Sequence, residues 1–298
     1  MNRKTADVLA KIFFAVIGAI LLIVAVSFIY PIFWMIINSF KDEFDYGMNL
    51  FNFPTKWMWS NYTEVVKFIK IEKTVVGQGT RYIYLGEMIY NTLFRCIVEN
   101  FIGLYFTVTC AYALARFEFP GKKFIYKLCI VIMIVPIIGN MPSALQVHKA
   151  LGTYDNMYTR LIGAPATIFS MNYLILYGAF KALPQAYSEA AEIDGAGRFT
   201  VMMKIMIPMQ MPLCVTFFVL NFLGIWNDYA TSLVYLPSYP NLAYALYQFR
   251  ESSTSGASGA TSAMILAGYA LIMVPTALLY LACHKFINSK IVVGGLKG

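Results

Sequence analysis

Six long runs of apolar residues dominate the chain. A helix needs about 20 predominantly apolar residues to cross the hydrocarbon core of a bilayer, and each run is about that long or longer. The runs cover residues 12–40, 88–115, 128–148, 161–180, 205–227 and 263–284. Only the second run contains charged side chains, those of Arg95 and Glu99. The pattern predicts an all-α membrane protein with six transmembrane helices in a single domain that covers residues 1–298.

The composition supports a membrane protein rather than a soluble one. Of 298 residues, 59% are hydrophobic and 13% are charged, whereas soluble domains carry about 25% charged residues. Disordered, collagen-like and disulfide-rich secreted chains are excluded on the same grounds. Arg3, Lys4 and Lys11 precede the first run as in a signal peptide. That run is too long for a signal peptide, so we expect a membrane anchor that is not cleaved.

The distribution of charge predicts how the chain lies in the membrane. The net charge is +8, and the basic residues lie at the ends of the apolar runs rather than on one polar face. This placement argues against nucleic-acid binding. If the N-terminus is cytoplasmic, the segments on that side carry a net charge of +8 and those on the other side +1. Cytoplasmic segments are normally the more basic, so we expect both termini of a multi-pass plasma or inner membrane protein to be cytoplasmic.

Motifs for catalysis, metal binding or nucleotide binding are absent from the sequence. The five cysteines lie inside apolar runs without CxxC spacing, and the two histidines, His148 and His284, are far apart. There is no HExxH, GxSxG or GxxxxGK[ST] motif. We therefore expect no metal site, no cofactor and no catalytic residue, and no ATP binding by this chain alone.

Three ionisable residues lie in or beside the apolar runs. Arg95 and Glu99 are four residues apart and share one face of a helix, so we expect them to pair. Asp228 directly follows the fifth run, where it lies near the outer end of that span or beside a pathway. Proton- or ion-coupled transporters usually place ionisable groups deep in the membrane, and three such groups, two of them paired, make a poor proton relay.

The polar loop between the fourth and fifth runs, residues 184–207, carries the most informative pattern. Glu189 to Ile193 suit a short helix, and Asp194-Gly195 suits a helix stop and turn. A second short helix would follow to about Met206. Such a helix–turn–helix is too small to have its own core, but it can project from the membrane as a docking element for a cytoplasmic partner.

This loop resembles the EAA loop of binding-protein-dependent ABC transporter permeases. The family pattern is EAAxxDGA, followed by an apolar position, an isoleucine and a Leu-Pro pair. The matching residues are Glu189, Ala190, Ala191, Asp194, Gly195, Ala196, Met202, Ile205, Ile207 and Pro208. Ile207 replaces the usual leucine, and Gly197-Arg198 replace a common Ser-Pro pair, which affects only the local geometry of the turn.

Three further segments are similar to the carbohydrate branch of that family, the maltose-transporter-like permeases. They are Asn91 to Gly121 around the second run, Phe222 to Tyr229 with its Trp-Asn-Asp sequence, and the terminal Gly294 to Gly298. Residues 68–87 match no pattern of the family. The resemblance covers nearly the whole chain and implies the MetI-like permease fold with a cytoplasmic EAA coupling helix.

The resemblance also implies a role and partners. The chain would form half of the translocation pathway for a sugar or oligosaccharide delivered by an extracytoplasmic sugar-binding protein. It would pair with a second permease subunit, and two separate ABC ATPase subunits would hydrolyse ATP, so this chain would not be an enzyme. The residues expected at the ATPase contact are Glu189, Ala190, Ala191, Asp194, Gly195, Ala196, Ile205 and Pro208.

Polar and aromatic side chains that face the interior of the bundle are candidates for the substrate pathway, because sugars are commonly held by aromatic faces and amide groups. They are Asn172, Tyr173, Tyr177, Asn221, Trp226, Asn227 and Asp228. The same residues would equally suit helix packing or the membrane interface. The outer loop 236–262 is a candidate contact for the binding protein, or a plain linker.

Other functions are alternatives on the sequence alone. The same fold could carry another solute, such as a polyol, a phosphodiester or a peptide. A scaffold or sensor that does not transport would not need the EAA loop, and a membrane enzyme would need a catalytic cluster.

Overall fold

The computed structural model describes residues 3–75, 79–135, 139–254 and 259–287, and most of them are helical. The helices in chain order are α1 (Arg3–Ser39), α2 (Glu43–Met48), α3 (Ser60–Phe68), α4 (Leu85–Phe94), α5 (Asn100–Arg116), α6 (Lys122–Ile134), α7 (Met141–Ala150), α8 (Met171–Ala182), α9 (Ala186–Ile193), α10 (Arg198–Val201), α11 (Ile207–Met209), α12 (Met211–Trp226), α13 (Tyr229–Val234), α14 (Leu242–Thr254) and α15 (Ser262–Ile287). Two π-helical turns, Arg95–Glu99 and Met202–Met206, and a 3₁₀-helix, Thr159–Phe169, connect some of them.

Three continuous helical segments are long and apolar enough to cross a membrane. They are Lys11–Ser39, Leu85–Arg116 and Ser262–Lys285, and they correspond to the predicted spans 12–40, 88–115 and 263–284. The second passes through the Arg95–Glu99 π-turn without breaking.

The predicted fourth and fifth spans are bent rather than straight. The 3₁₀-helix Thr159–Phe169 meets α8 at 58°, and Arg198–Met209 meets α12 at 73°. Proline explains the second bend, because Pro212 has no N–H and its ring would clash with the carbonyl of the residue four before it in a continuous helix. The predicted spans 161–180 and 205–227 therefore correspond to bent pairs of helices rather than to continuous helices, and each pair passes as one span by length and composition.

The predicted third span is not one helix either. Residues 128–148 divide between α6, which ends at Ile134, and α7, which begins at Met141. Val135 is extended (φ −68°, ψ 112°) because Pro136 follows it, and the α conformation is disfavoured before proline. The 13 residues of α6 reach about 20 Å at 1.5 Å per residue, short of a bilayer core about 30 Å thick.

One compact unit consists of Met1–Ile69 and Gln248–Val274. Asp45 stabilises the polar segment after α1. Its carboxylate accepts hydrogen bonds from Thr55 N (2.8 Å) and Asn49 Nδ2 (3.1 Å). The ring of Phe40 packs against Trp57, Trp59 and Tyr62, with centroids 4.7–5.2 Å apart. Most apolar side chains of α1 that the structure describes are exposed, as expected for a helix covered by lipid or a partner subunit.

The second unit consists of Lys70–Tyr247 and Pro275–Gly298. Its core is built by α5, α6, α8, α9 and α12, and includes Tyr112, Tyr173, Phe180 and Phe217. In α5, a Cβ at Gly103 would lie 3.0 Å from Thr167 Cγ2 of the 3₁₀-helix. The close approach of these two elements therefore depends on glycine.

An antiparallel hairpin occupies most of the stretch 68–87. Strands β1 (Lys70–Val75) and β2 (Gly79–Tyr84) pair with Ile71 opposite Ile83, and both of these side chains are buried. Asp155 anchors the hairpin, because its carboxylate lies 3.6 Å from Lys73 Nζ and accepts hydrogen bonds from Ser238 N and Oγ, both at 2.6 Å. Lys73 also bonds to Ser238 Oγ.

Candidate functional site

The loop between α8 and α12 forms the predicted helix, turn and second helical segment. Helix α9 ends at Ile193, and Gly195 adopts φ +82°. Gly195 N–H bonds to Glu192 O (3.0 Å) and Ala196 N–H to Ala191 O (2.9 Å). These two bonds define a Schellman motif, in which the left-handed residue is usually glycine. The helix stop predicted at Asp194-Gly195 is confirmed.

The two faces of this loop have different surroundings. Ala191, Val201 and Met206 are buried in the core of the unit, and Ala196 and Ile205 pack against that core. Glu189, Ala190, Asp194, Gly195 and Pro208 are exposed. The loop is therefore fixed on the helix bundle by one face, and the other face, with part of the predicted contact set, is exposed.

A polar hollow of about 400 Å³ lies beside the exposed face of α9. Its charged lining residues are Arg116, Glu118, Glu189, Glu192 and Arg198. Arg116 is held in place by a hydrogen bond from Nη2 to Leu183 O (2.7 Å). The hollow is thus lined by side chains of both signs of charge.

A larger cavity of about 540 Å³ lies where α5, α12 and the 3₁₀-helix meet. Its walls combine four charged side chains, several amide and hydroxyl groups, and small or aliphatic residues. The lining residues are Arg95, Glu99, Asn100, Leu104, Thr107, Arg160, Gly163, Ala164, Ala166, Thr167, Ser170, Asn172, Leu220, Asn221, Gly224, Ile225 and Asp228. A volume of this size is typical of small-molecule sites.

A chain of alternating charges runs along the cavity wall. Arg95 Nε lies 3.2 Å from Glu99 Oε2, and Arg95 Nη2 lies 2.8 Å from Asp228 Oδ2. Arg160 Nε approaches Glu99 Oε1 to 3.4 Å, an ionic contact without hydrogen-bond geometry. The predicted Arg95–Glu99 pair is confirmed, but it is part of a four-residue group. Arg95 is only 3% exposed, so its charge depends on both carboxylates.

Asp228 also organises the segment that follows α12. Its Oδ1 accepts a hydrogen bond from Thr231 N (3.0 Å) and so caps α13. Burial alone would raise the pKa of Asp228, but hydrogen bonds from Thr231 and Arg95 and the positive charge of Arg95 outweigh it and lower the pKa below its usual value. The carboxylate is therefore ionised at neutral pH, as the ion pair requires.

The predicted pathway residues divide between the cavity and the core. Asn172, Asn221 and Asp228 line the cavity, and Asn172 Nδ2 donates to Asn221 Oδ1 (3.2 Å). The aromatic candidates do not line it. Tyr173 is buried in the core, Tyr177 packs on Tyr126, and Trp226 is buried and stacks on Phe222. Asn227 donates to Leu223 O at the end of α12. No aromatic residue is among those that line this cavity within the described part of the chain.

The sequence did not reveal Asn100, Arg160 or Ser170 as cavity residues. Arg160 lies 61 residues from Glu99 and outside the apolar runs, so no helical spacing connects the two. In the ranges that the structure describes, no group of three or more His, Cys, Asp or Glu residues is placed to hold a metal ion. The terminal Gly294 to Gly298 lies outside the described residues.

Comparison with known proteins identifies similar sequences. The profile of the family described as "Binding-protein-dependent transport system inner membrane component" matches residues 103–292. The diacetylchitobiose uptake system permease protein NgcG of Streptomyces coelicolor is 28% identical over 218 residues, which cover 73% of this chain and 67% of that protein. The arabinooligosaccharides transport system permease protein AraQ of Bacillus subtilis is 24% identical over 283 residues, or 93% of each chain.

A solved structure shares the fold. It is described as a bacterial ABC transporter involved in the import of the acidic polysaccharide alginate, and one of its chains matches with a TM-score of 0.74. The match covers 97% of this chain and 99% of that one at 23% sequence identity.

Proposed function

The chain belongs to the family of binding-protein-dependent transport system inner membrane components, and we propose that it is one permease subunit of an ATP-driven importer of a sugar or oligosaccharide. The family match over residues 103–292 carries this proposal, because it includes the helix–turn–helix at 184–207, most of the cavity-lining helix α5 and all of α12. The chain is a membrane component of a transporter and not an enzyme, and the ATPase is a separate subunit.

A carbohydrate substrate is the best-supported cargo. Relatives named for the uptake of diacetylchitobiose and arabinooligosaccharides align over most of this chain. The amide and hydroxyl groups of the cavity wall suit a ligand rich in hydroxyl groups. Other solutes, such as a polyol, a phosphodiester or a peptide, are alternatives that the uptake experiment below distinguishes.

The proposed arrangement in the membrane has six spans and cytoplasmic termini. The three continuous apolar helices and the two bent pairs supply five spans, and α6 with α7 supplies the sixth. The excess of basic residues on one side supports the orientation. This orientation places α9 and the turn at Gly195 in the cytoplasm. It places the hairpin and the segment 236–262 outside, and that segment, which contains α14, is a candidate contact for the binding protein.

The exposed face of α9 is the proposed contact with an ATPase. Glu189 and Ala190 lie on the helix and Gly195 forms its end, and the absence of large side chains at Ala190 and Gly195 allows close approach. Ala191 contributes indirectly, because it fastens the helix to the core. Two ATPases, a second permease subunit in a heterodimer and an extracytoplasmic sugar-binding protein complete the proposed transporter.

The cavity is the proposed part of the substrate pathway contributed by this chain. Closure of the ATPases on ATP would pull on α9, and the attached helices would move as rigid bodies between inward- and outward-facing states. The π-turn at Met202–Met206 and the bend before α12 lie between the docking face and the cavity. Motion at α9 therefore reaches the cavity wall through one continuous stretch of chain.

Uptake by cells that lack this gene tests the proposed function. Loss of this chain should abolish the uptake of one class of labelled oligosaccharide, and the wild-type gene should restore it. Uptake should stop when ATP is depleted and persist when a protonophore collapses the proton gradient while ATP is maintained. Sugar uptake that is unchanged without the gene, or that stops with the protonophore at constant ATP, would contradict the proposal.

A further inference from the structure

We propose that the cavity holds an uncharged, hydroxyl-rich part of the substrate between Arg95 and Asn100, and that its balanced charges reject anionic sugars. This inference rests on the proposed function and names the substrate class of the same site. It depends on two buried side chains that each have one polar atom without a partner, and on the two carboxylates beside them.

Arg95 and Asn100 line the cavity, and each has one buried side-chain atom whose hydrogen-bonding capacity is unused. Arg95 is only 3% exposed and Asn100 only 4% exposed. Arg95 Nη1 and Asn100 Oδ1 have no hydrogen-bond partner among the described residues. A buried polar atom without a partner destabilises the structure, so a ligand that supplies the missing bonds is favoured there.

The rest of each side chain is fixed by other contacts. The Nε and Nη2 atoms of Arg95 bind Glu99 and Asp228, which leaves Nη1 as the remaining donor nitrogen. The amide of Asn100 donates from Nδ2 to Phe218 O (2.9 Å). Because that carbonyl can only accept, the orientation of the amide is set and Oδ1 is the free acceptor. Arg95 Nη1 is thus a donor, and Asn100 Oδ1 an acceptor, whose hydrogen bonds are not made within the described residues.

The π-turn explains why these two residues can act together. Asn100 N–H bonds to Arg95 O across five residues, whereas in an α-helix residues five apart are offset by about 140° around the axis. Single π-turns occur frequently at functional sites. Ser170, whose Oγ also has no partner among the described residues, lines the same cavity from the break before α8.

Hydroxyl groups suit these two atoms, because a hydroxyl can accept from an arginine N–H and can also donate to an amide oxygen. A carboxylate can accept but not donate, so it would leave Asn100 unpaired. It would also approach Glu99 and Asp228, which already neutralise Arg95 and lie in a partly buried site where like charges repel strongly. Arg160 makes a longer ionic contact with Glu99, at 3.4 Å.

The test measures sugar binding to the purified intact transporter by saturation-transfer NMR. The probes are pairs of trisaccharides that differ only in oxidation at C6: galactotriose with trigalacturonate, and mannotriose with trimannuronate. We expect at least one neutral member to bind about tenfold more tightly than its uronate, a ratio typical of one lost hydrogen bond to a buried group together with charge repulsion.

Variants connect the preference to the named residues. Asn100→Leu, similar in volume, should weaken binding of the neutral sugar about tenfold, and Ser170→Ala, outside the helices, should weaken it severalfold. Glu99→Gln removes one carboxylate and should tighten uronate binding relative to the neutral sugar. Asn52→Leu, at an exposed position that is not among the cavity-lining residues, is the matched control and should change nothing.

Several results would overturn the inference. Equal or tighter binding of the uronates to the wild type would do so, as would neutral-sugar binding that neither Asn100→Leu nor Ser170→Ala weakens in a complex that assembles. If the transporter imports sugar but binds no neutral probe, this inference alone fails. If it imports no sugar, the proposed function fails and this inference with it.

Discussion

At the scale of single residues, backbone geometry distinguishes two glycines of the α9 turn. Gly195 has φ +82°, whereas Gly197 has φ −68°, and a Cβ at either position would meet open space. Substitution at Gly195 therefore introduces backbone strain of roughly 1–2 kcal/mol, while substitution at Gly197 does not. The pair separates the effect of turn geometry from that of added bulk.

We predict that Gly195→Asp abolishes sugar uptake while the protein remains in the membrane at its normal level. The new side chain strains the Schellman turn and adds a charge on the proposed ATPase contact. Gly197→Asp adds the same charge two residues away without the strain, and should retain most uptake. Uptake and immunodetection in membranes check this prediction, and full uptake by Gly195→Asp would contradict it.

The ion group predicts a second residue-scale effect. Replacing Arg95 with Met removes the cation between Glu99 and Asp228, and loss of one member of a buried pair costs about 3–5 kcal/mol. We therefore expect a markedly lower unfolding temperature for the purified transporter. The double variant Arg95→Met, Asp228→Asn should regain part of the loss, since it removes the unpaired charge as well. Additive losses in the double variant would show that the two residues are not coupled.

How much of this site the sequence could predict depends on how far apart along the chain the contacting residues lie. The Arg95–Glu99 pair can be predicted, because residues four apart lie on the same face of a helix. The contact of Arg95 with Asp228 joins residues 133 positions apart, and the aromatic candidates Tyr173 and Trp226 face the core rather than the cavity. Periodicity identifies which residues share a helix face, but not which face meets the cavity.

At the scale of elements, the apolar runs indicate where helices form but not where they bend. The first, second and sixth runs became continuous helices, whereas the third, fourth and fifth contain breaks. Pro136 and Pro212 mark two of these breaks and stand in the sequence. Prolines inside a span are tolerated in other cases, as Pro31 in α1 and Pro275 in α15 show, so their presence alone does not predict a bend.

The hairpin offers an element-scale prediction. An isolated two-stranded ribbon is marginally stable, and this one is held by Asp155, which also adopts φ +53°. Asp155→Asn keeps a residue that tolerates this conformation but removes the charge that faces Lys73. We expect faster proteolysis within residues 70–84, while Glu72→Gln, the same change from acid to amide at an exposed position of β1, should leave the rate unchanged. Equal rates for Asp155→Asn and the wild type would argue against the anchoring role.

At the scale of the whole molecule, the proposed topology can be tested by labelling single cysteines. Phe51 and Ile193 are 81% and 87% exposed, and the proposal places them on opposite sides of the membrane. In a background without the native cysteines, Phe51→Cys should react with an impermeant maleimide in intact cells. Ile193→Cys should react only after permeabilisation. The reverse pattern, or labelling of both in intact cells, would contradict cytoplasmic termini and a cytoplasmic α9.

The central claim is that this chain works only as part of an ATP-driven importer, and its purification from native membranes tests that claim most directly. Mass spectrometry of the material extracted in mild detergent should identify a second permease subunit and an ABC ATPase, with the ATPase lost in Gly195→Asp and retained in Gly197→Asp. A chain that purifies alone or as a homodimer, without an ATPase, would contradict the claim. Arg95, Glu99 and Asp228 would then be the residues to test for ion-coupled transport.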